Sequence, residues 1–356
     1  MLFAGIISKN SFEYSGFIPI VKKSKQWNKS AGNNFLIVYN NIKNNQKIET
    51  SETLRNKIII NILLLTYFLV TSLIIKTTFL YNQEQKLIET LKKISLHVPI
   101  HNKPKSNEDF GFYLAGLIDG DGHFSNAQQL VIAFNISDSS LAYYIKNRIG
   151  YGQVKKVKNK NAVLFIISSM AGLNIILNLV NGKLKKKSKL AQMQNNILNS
   201  SKFKNFNNEF NMIKYIDKSL NNYWLAGFTD ADGSFQVKII ERTDRNIPEI
   251  RLNFQVDQKE KDLLILIQNY LGGNIGYRSN QNTYYYGSTS FGSAKKVIEY
   301  FDSFHLLSNK HINYLKWRKV YILIQNREHI TEKGLKKIIK LKSTMNKYNK
   351  DIIDLS

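Results

Sequence analysis

Leu114–Gly122 reads LAGLIDGDG, and Leu225–Gly233 reads LAGFTDADG. The two copies lie 225 − 114 = 111 residues apart. Each is an apolar, small-residue run that ends in Asp-x-Asp-Gly. Self-similarity at a fixed period marks repeated structural units. Read as helices, Tyr113–Ile118 and Trp224–Thr229 carry Ala and Gly on one face, where two backbones can approach closely, as described for small-residue helix pairs in membranes. Their acids, Asp119 and Asp121 in one copy and Asp230 and Asp232 in the other, would then meet where the helices end.

Outward from each copy the same order follows: strand, strand, helix, strand, strand, helix. In the first half, Leu130–Ile136 reads as a strand and Ser139–Ile149 as a helix, stopped by Gly150 and Gly152. Gln153–Val157 and Ala162–Ile167 form a hairpin, and Ala171–Val180 is an apolar helix. In the second half the strands are Ser234–Ile240 and Glu249–Val256, joined by a polar turn over 243–248. The helix Lys261–Leu271 follows, then a hairpin of Asn274–Arg278 with Thr283–Ser288, then the helix Ser293–Phe301. The class is α+β, with half-domains over 106–205 and 206–356, the latter ending in basic helical sequence.

Residues 1–105 hold no copy of the repeat. Ile58–Ile75 is an uncharged run of 18 residues, the lower limit for a membrane-spanning helix. It reads as a membrane anchor, a buried helix, or sequence carried through from an upstream frame. It lies too far from Met1 for an ordinary signal peptide. His101–Glu108 (HNKPKSNE) reads as a linker.

Formal net charge is +25, from 51 Lys+Arg against 26 Asp+Glu. Such an excess points to a polyanionic partner, most simply nucleic acid. Cysteine is absent, which excludes disulfides, Cys-ligated zinc and thiol nucleophiles. Abundant Lys, Asn and Ile fit an A/T-rich genome, such as many mitochondrial ones.

Two carboxylates brought together repel unless a hard cation sits between them. Oxygen-only ligation favours Mg²⁺, whose bound water is a ready nucleophile. Against this, one Asp-x-Asp-Gly alone is most simply a helix end running into a glycine turn. An EF-hand loop would use Asp230, Asp232, Ser234 and Glu241 at positions 1, 3, 5 and 12, but Phe235 stands where its glycine belongs. In the first copy Leu130 replaces the bidentate Glu. Acids at a helix C-terminus also oppose the helix dipole, so their presence asks for a function.

YLAGLIDGDGHF and WLAGFTDADGSF resemble the paired motifs of LAGLIDADG homing endonucleases of the two-motif, single-chain class. The resemblance covers roughly 110–326 and implies two pseudo-symmetric αββαββα half-domains forming a DNA-binding saddle. It implies double-strand cleavage of a long, asymmetric DNA site with Mg²⁺ or Mn²⁺, by a monomer. Many members are encoded in organellar introns, and some act as maturases on their own group I intron RNA. Carried over, the catalytic, metal-binding acids are Asp121 and Asp232, with the backbone of Gly120 and Ala231 beside the metal. Asp119 and Asp230 would support them. Gln258 matches a polar residue the family often places near the second strand's end, where the first half has Asp138. Lys310 is the candidate for a basic residue near the water. The first half offers Lys183, Lys185, Lys186, Lys187 and Lys189; Lys185 stands as the candidate among them. For most of these lysines a plain phosphate contact is the simpler role.

Strand alternation puts Ser234, Gln236, Lys238 and Arg242 on one face and Phe235, Val237 and Ile239 on the other. The polar set should read DNA, joined by Arg251, Asn253, Gln255 and Arg278, with Tyr284 or Tyr286 extending it. The first half has a thinner row, Ser125, Ala127 and Gln129. Lys155, Lys156, Lys158 and Lys160 suit the DNA backbone. His123 is expected at the surface, and Tyr143, Tyr144, Trp224 and Trp317 in the core. Two other functions compete with the nuclease: an RNA maturase keeping this fold, and a membrane-anchored structural protein built on Ile58–Ile75.

Overall fold

The computed structural model describes residues 51–213, 218–243 and 247–346. The chain divides into two compact units, Met1–Glu89 and Thr90–Ser356. The described part of the first is helical, the beginning of α1 (Ser51–Leu91).

In the second unit, α2 (Asn107–Asp121) starts at Ser106, whose side chain accepts the Asp109 N–H at 3.0 Å. Glu108 and Asp109 in its first turn suit the positive end of the helix dipole. The first half continues as β1 (Gly122–Ser125), β2 (Gln129–Asn135), α3 (Ser139–Ile149), β3 (Gln153–Lys156), β4 (Ala162–Ile167) and α4 (Met170–Val180). Two short helices, α5 (Lys187–Met193) and α6 (Ser201–Phe206), lead out of it. The second half repeats the order with α7 (Trp224–Asp232), β5 (Gly233–Ile240), β6 (Glu249–Gln258), α8 (Lys261–Leu271), β7 (Asn274–Arg278), β8 (Thr283–Gly287) and α9 (Phe291–Ser303). Helices α10 (Lys310–Gln325) and α11 (Glu332–Ser343) follow. The expected α+β class and repeated αββαββα order are present. Part of the turn over 243–248 and the last residues of the basic tail lie outside the described residues.

Each half forms an antiparallel four-stranded sheet, ordered β1-β2-β4-β3 and β5-β6-β8-β7. Alternation sends Phe124, Leu130, Ile132, Phe134, Val163, Phe165 and Ile167 into the core from the first sheet. Phe235, Val237, Leu252, Phe254, Val256 and Tyr286 do so from the second. One edge strand of each sheet, β1 and β5, accepts a side-chain donor. Asn196 donates to the Phe124 carbonyl at 2.7 Å on β1, and Asn346 to the Phe235 carbonyl at 3.3 Å on β5.

Residues 94–106 are not a free linker but a strap across both halves. Ile94 exchanges two hydrogen bonds with the Gln325 side chain, at 2.8 and 3.0 Å. Buried Arg318, paired with Asp302, donates to the carbonyls of Ser95 and His97. At the other end Arg148 of α3 donates to the carbonyls of Pro104, Lys105 and Ser106. The polar composition that suggests a linker serves this backbone pairing instead. Of the four aromatics expected in the core, Trp224 and Trp317 are fully buried and Tyr144 packs against Phe110. Tyr143 is 50% exposed, because it lies on the outer face of α3.

Candidate active site

The helices α2 and α7 pack backbone against backbone. A Cβ on Gly116 would overlap the Trp224 carbonyl oxygen, and one on Gly227 would overlap that of Tyr113. Near the helix ends, a Cβ on Gly120 would overlap that of Ala231. The glycines and alanines of the motif are thus the contact surface itself, and the contact carries both acid pairs to one place.

The first acid of each pair is buried and spent on structure. The Asp119 carboxylate accepts the N–H groups of Lys185 at 2.7 Å and Lys186 at 3.1 Å, and the indole N–H of Trp224 at 2.9 Å. The Asp230 carboxylate accepts the hydroxyl of Tyr113 at 2.7 Å, the N–H of Leu307 at 2.7 Å and the hydroxyl of Ser308 at 2.5 Å. The pattern is reciprocal: each helix's aromatic residue donates to the other helix's acid. Each acid also pins the loop that follows its own half. Burial pushes the Asp119 carboxyl up to about 6, against the opposing pull of its donors, and raises Asp230 as well.

The second acids close their helices, Asp121 exposed and Asp232 half-buried. Burial of its carboxyl and the nearby Asp232 charge push Asp121 up to about 6, while Lys310, Lys189 and Lys186 pull it down. Asp232 accepts the Gln258 side-chain amide at 2.6 Å, and the Gln258 oxygen accepts the Lys186 ammonium at 3.0 Å. A chain therefore runs from a first-half lysine through a second-half glutamine to a second-half carboxylate. Asp138, at the matching place in the first half, behaves differently. It accepts the Asn309 N–H at 2.7 Å and faces Lys310, so it serves the second half's loop.

Lys310 crosses to the end of α7, where its ammonium donates to the carbonyls of Thr229 at 3.1 Å and Ala231 at 2.5 Å. Burial lowers its pKa, and Asp230, Asp121 and Asp232 hold it up. The Ala231 carbonyl, expected beside a metal, is thus already accepting a lysine. In the first half the expectation for Lys185 needs correction. Its backbone binds Asp119, but its ammonium lies 5.4 Å over the Trp224 ring. Lys186 instead reaches Gln258, and Lys189 donates to the Gly122 carbonyl next to Asp121. Lys183 bonds the Leu179 carbonyl and Lys187 pairs with Asp262. All five share one short basic run, so charge alone could not separate them; which points inward depends on the turn into α5.

The polar row of the second sheet lies across paired strands. Ser234 stands opposite Gln255, Gln236 opposite Asn253, and Lys238 opposite Arg251. Asn253 donates to Gln255 at 3.2 Å and Gln255 to Asp257 at 3.0 Å. Arg242 falls beyond the end of β5, and it shares Glu249 with Arg251. Hydrogen bonds from Arg251 and Arg242 hold the Glu249 carboxyl down at about 2. Arg278 pairs with Asp257 at 3.0 Å and stacks over Tyr285. Tyr285, not Tyr284 or Tyr286, shares the polar face: it pairs with Asp257, whereas Tyr286 is fully buried. In the first sheet Ser125 pairs with Gln129, but the row continues through Val131, Ala133, Leu164 and Ile166. His123 is exposed on that face.

Paired helices that end in acids and lead into two four-stranded sheets define a two-repeat α+β architecture, which known proteins share. The model of the LAGLIDADG endonuclease family matches residues 225–321. An uncharacterized cox1 intron-2 protein of Schizosaccharomyces pombe is 49% identical, over 96% of this chain and 95% of that protein. The intron-encoded DNA endonuclease aI3 of Saccharomyces cerevisiae is 32% identical, over 64% of this chain and 66% of its own length. Among solved structures, the meganuclease I-AabMI bound to uncleaved DNA superposes with a TM-score of 0.54, at 22% identity, covering 66% of this chain and 99% of that one. I-SmaMI bound to cleaved DNA gives 0.53 at 22% identity, covering 70% of this chain and 98% of its own. This chain belongs to the LAGLIDADG endonuclease family.

Proposed function

We propose that this chain is a site-specific DNA endonuclease that cuts both strands of a long, asymmetric target to mobilise its own intron. The observation that carries the reading is the meeting of Asp121 and Asp232 at the ends of two backbone-packed helices. Each half supplies one carboxylate, so each DNA strand has one within reach.

The donor set suits Mg²⁺ or Mn²⁺: it is oxygen only. Among the described residues no group of three or more His, Asp or Glu side chains is placed to hold an ion. Two carboxylates would leave most ligand positions to water and DNA phosphate, as Mg²⁺ prefers. When bound, the metal supplies an activated water and stabilises the attacking and leaving oxygens. The chain's own residues do the rest. Gln258 fixes the direction of Asp232, and Lys186 fixes Gln258. Lys310 offsets the α7 C-terminal dipole beside the acids. Lys186, Lys189 and Lys310 together offset charge on the phosphate. Ser234, Gln236, Lys238 and Gln255 face the major groove, where amides read adenine and basic residues read guanine; Asn253, expected in that row, is buried and holds the Gln255 side chain instead. Arg242, Arg251 and Arg278 reach DNA by exchanging a carboxylate partner for a phosphate or base.

Both halves lie on one chain, which supports a monomer. The relatives' names place their genes in introns, one of them of cox1, which supports an organellar gene and a mitochondrial location. A second reading, maturation of a group I intron RNA, is favoured by α11. That helix lies outside both repeats and exposes Lys333, Lys336, Lys337 and Lys340. The test is cleavage, with Mg²⁺, of DNA carrying the intron's insertion sequence. A linear product is expected. No product from wild type, with splicing lost on depletion, would sink the nuclease and leave the maturase.

A further inference from the structure

We infer that Arg55–Thr78 of α1 spans a lipid bilayer, so that the nuclease unit beginning at Thr90 works as a membrane-tethered protein. This goes beyond the nuclease reading and does not depend on it. Three observations carry it.

The first is exposure on every side. The segment is 24 residues long, and its apolar core window has no residue buried. Ile58, Leu63, Phe68, Leu69 and Ile75 are each between 55% and 68% exposed, and between them they point around the whole helix. Among the described residues nothing buries Ile58–Ile75. A helix lying on a membrane surface, or filling a groove on a partner, needs a polar face. A second copy of this chain would cover one side of the helix and leave the other in water. Lipid is the surrounding that covers all sides.

The second is length. At ~1.5 Å per residue, 24 residues reach about 36 Å, enough for a hydrocarbon layer of ~30 Å with some tilt. Arg55 and Lys57 at one end and Lys76 at the other have the reach to place their charges among headgroups.

The third concerns the segment's four threonines, whose hydroxyls fold back onto carbonyls of their own helix, as lipid favours. Thr66 donates to the Leu63 carbonyl at 2.8 Å and Thr71 to that of Phe68 at 3.0 Å. Thr77 and Thr78 both donate to the Ile74 carbonyl, at 2.9 Å.

The full chain, expressed in a bacterial host, tests the inference. Membranes are washed with alkaline carbonate and floated through a density gradient. Wild type is expected to float. Leu64→Lys with Val70→Lys is expected to stay at the bottom or in the supernatant, because each central lysine disfavours insertion roughly a hundredfold. Its nuclease unit should melt as in wild type. Release of wild type by carbonate, or equal flotation of the double variant, overturns the span. Because the chain has no cysteine, Glu52→Cys and Lys92→Cys report sidedness without background. A membrane-impermeant maleimide added to intact spheroplasts should label one of the two. Identical behaviour of both, labelled or unlabelled, also overturns it. Neither result depends on whether the protein cuts DNA.

Discussion

The two halves share an element order but differ in what they offer a ligand. On the second sheet the groove-facing row is polar through its centre: Lys238 opposite Arg251, Gln236 opposite Asn253, Ser234 opposite Gln255. On the first, the two central strands carry Val131, Ala133, Leu164 and Ile166, and the polar residues His123, Gln153 and Lys155 lie on the edge strands. The acidic helix ends differ as well. Asp232 is held by Gln258, which in turn is held by Lys186. Asp121 sits instead among lysines, and Asp138, the matching residue of its own half, reaches across to Asn309. Repetition therefore built the scaffold, and divergence at a few positions made two unequal sites. An asymmetric target and unequal rates for the two strands are what such a pair would produce.

The symmetric part of the comparison can be broken at the helix contact. Gly116→Val and Gly227→Val each drive a side chain into the partner's backbone, where nothing can give way. Each should cost at least ~3–5 kcal/mol and lose the native fold in a denaturant titration. Nearly equal losses would support a contact shared evenly between the repeats. A variant that melts like wild type would remove it from the account.

At the acids, Asp121→Asn or Asp232→Asn should lower double-strand cleavage by ~10³-fold or more, comparable with removing one group that stabilises developing charge. DNA binding by gel shift should remain within a few fold. If one variant stops at nicked circle and the other at intact plasmid, the order of strand cutting follows directly.

Replacing Asp138 with Gln gives the first half the residue its counterpart has. It also removes a carboxylate that faces Lys310 and holds Asn309. The ratio of nicked to linear product should shift by about tenfold or less, the ~1.4 kcal/mol scale of one charged hydrogen bond. An unchanged ratio would mean that Asp138 only joins the halves.

On the reading surface, Gln236→Ala should relax base discrimination by ~1–3 kcal/mol at one target position. Gln129→Ala should do less, since Val131 and Ala133 follow it along its own strand.

The smallest effect concerns pH. Folding raises the Asp121 pKa from 3.8 to about 6, so the folded state favours its protonated form. Its contribution is favourable below the unfolded value and is lost as pH rises through about 6. Asp121→Asn lacks that loss. Without metal, the variant's melting temperature should gain on wild type as pH rises through that window, and Mg²⁺ should close the gap. A gap independent of pH would show that Asp232 and burial do not crowd this carboxyl.

Much of this was legible in the residues. The doubled motif, the alternation of Phe235, Val237 and Ile239 with Ser234, Gln236 and Lys238, and glycine stops such as Gly150 and Gly272 located most elements. Periodicity and backbone freedom are local properties, and they are written in the chain. The two acidic pairs were visible for the same reason, although the division of labour within each pair depends on burial.

What tertiary structure alone decided is where side chains cross between segments distant in sequence. Trp224 donates to Asp119 and Tyr113 to Asp230 because two helices cross at a glycine contact, a relation with no local signature. Lys186 and Lys189 rather than Lys185 face the acids because the loop backbone is pinned to Asp119 before α5 begins. Arg242, Arg251 and Arg278 wait on Glu249 and Asp257, and residues 94–106 strap the halves together, because charges and backbone groups take the partners that folding brings near. The sequence by itself determined the repeat, the strands and the acids. The fold determined which lysine of one basic run would hold Gln258, and which loop each buried acid would pin, because those contacts join segments far apart in the chain.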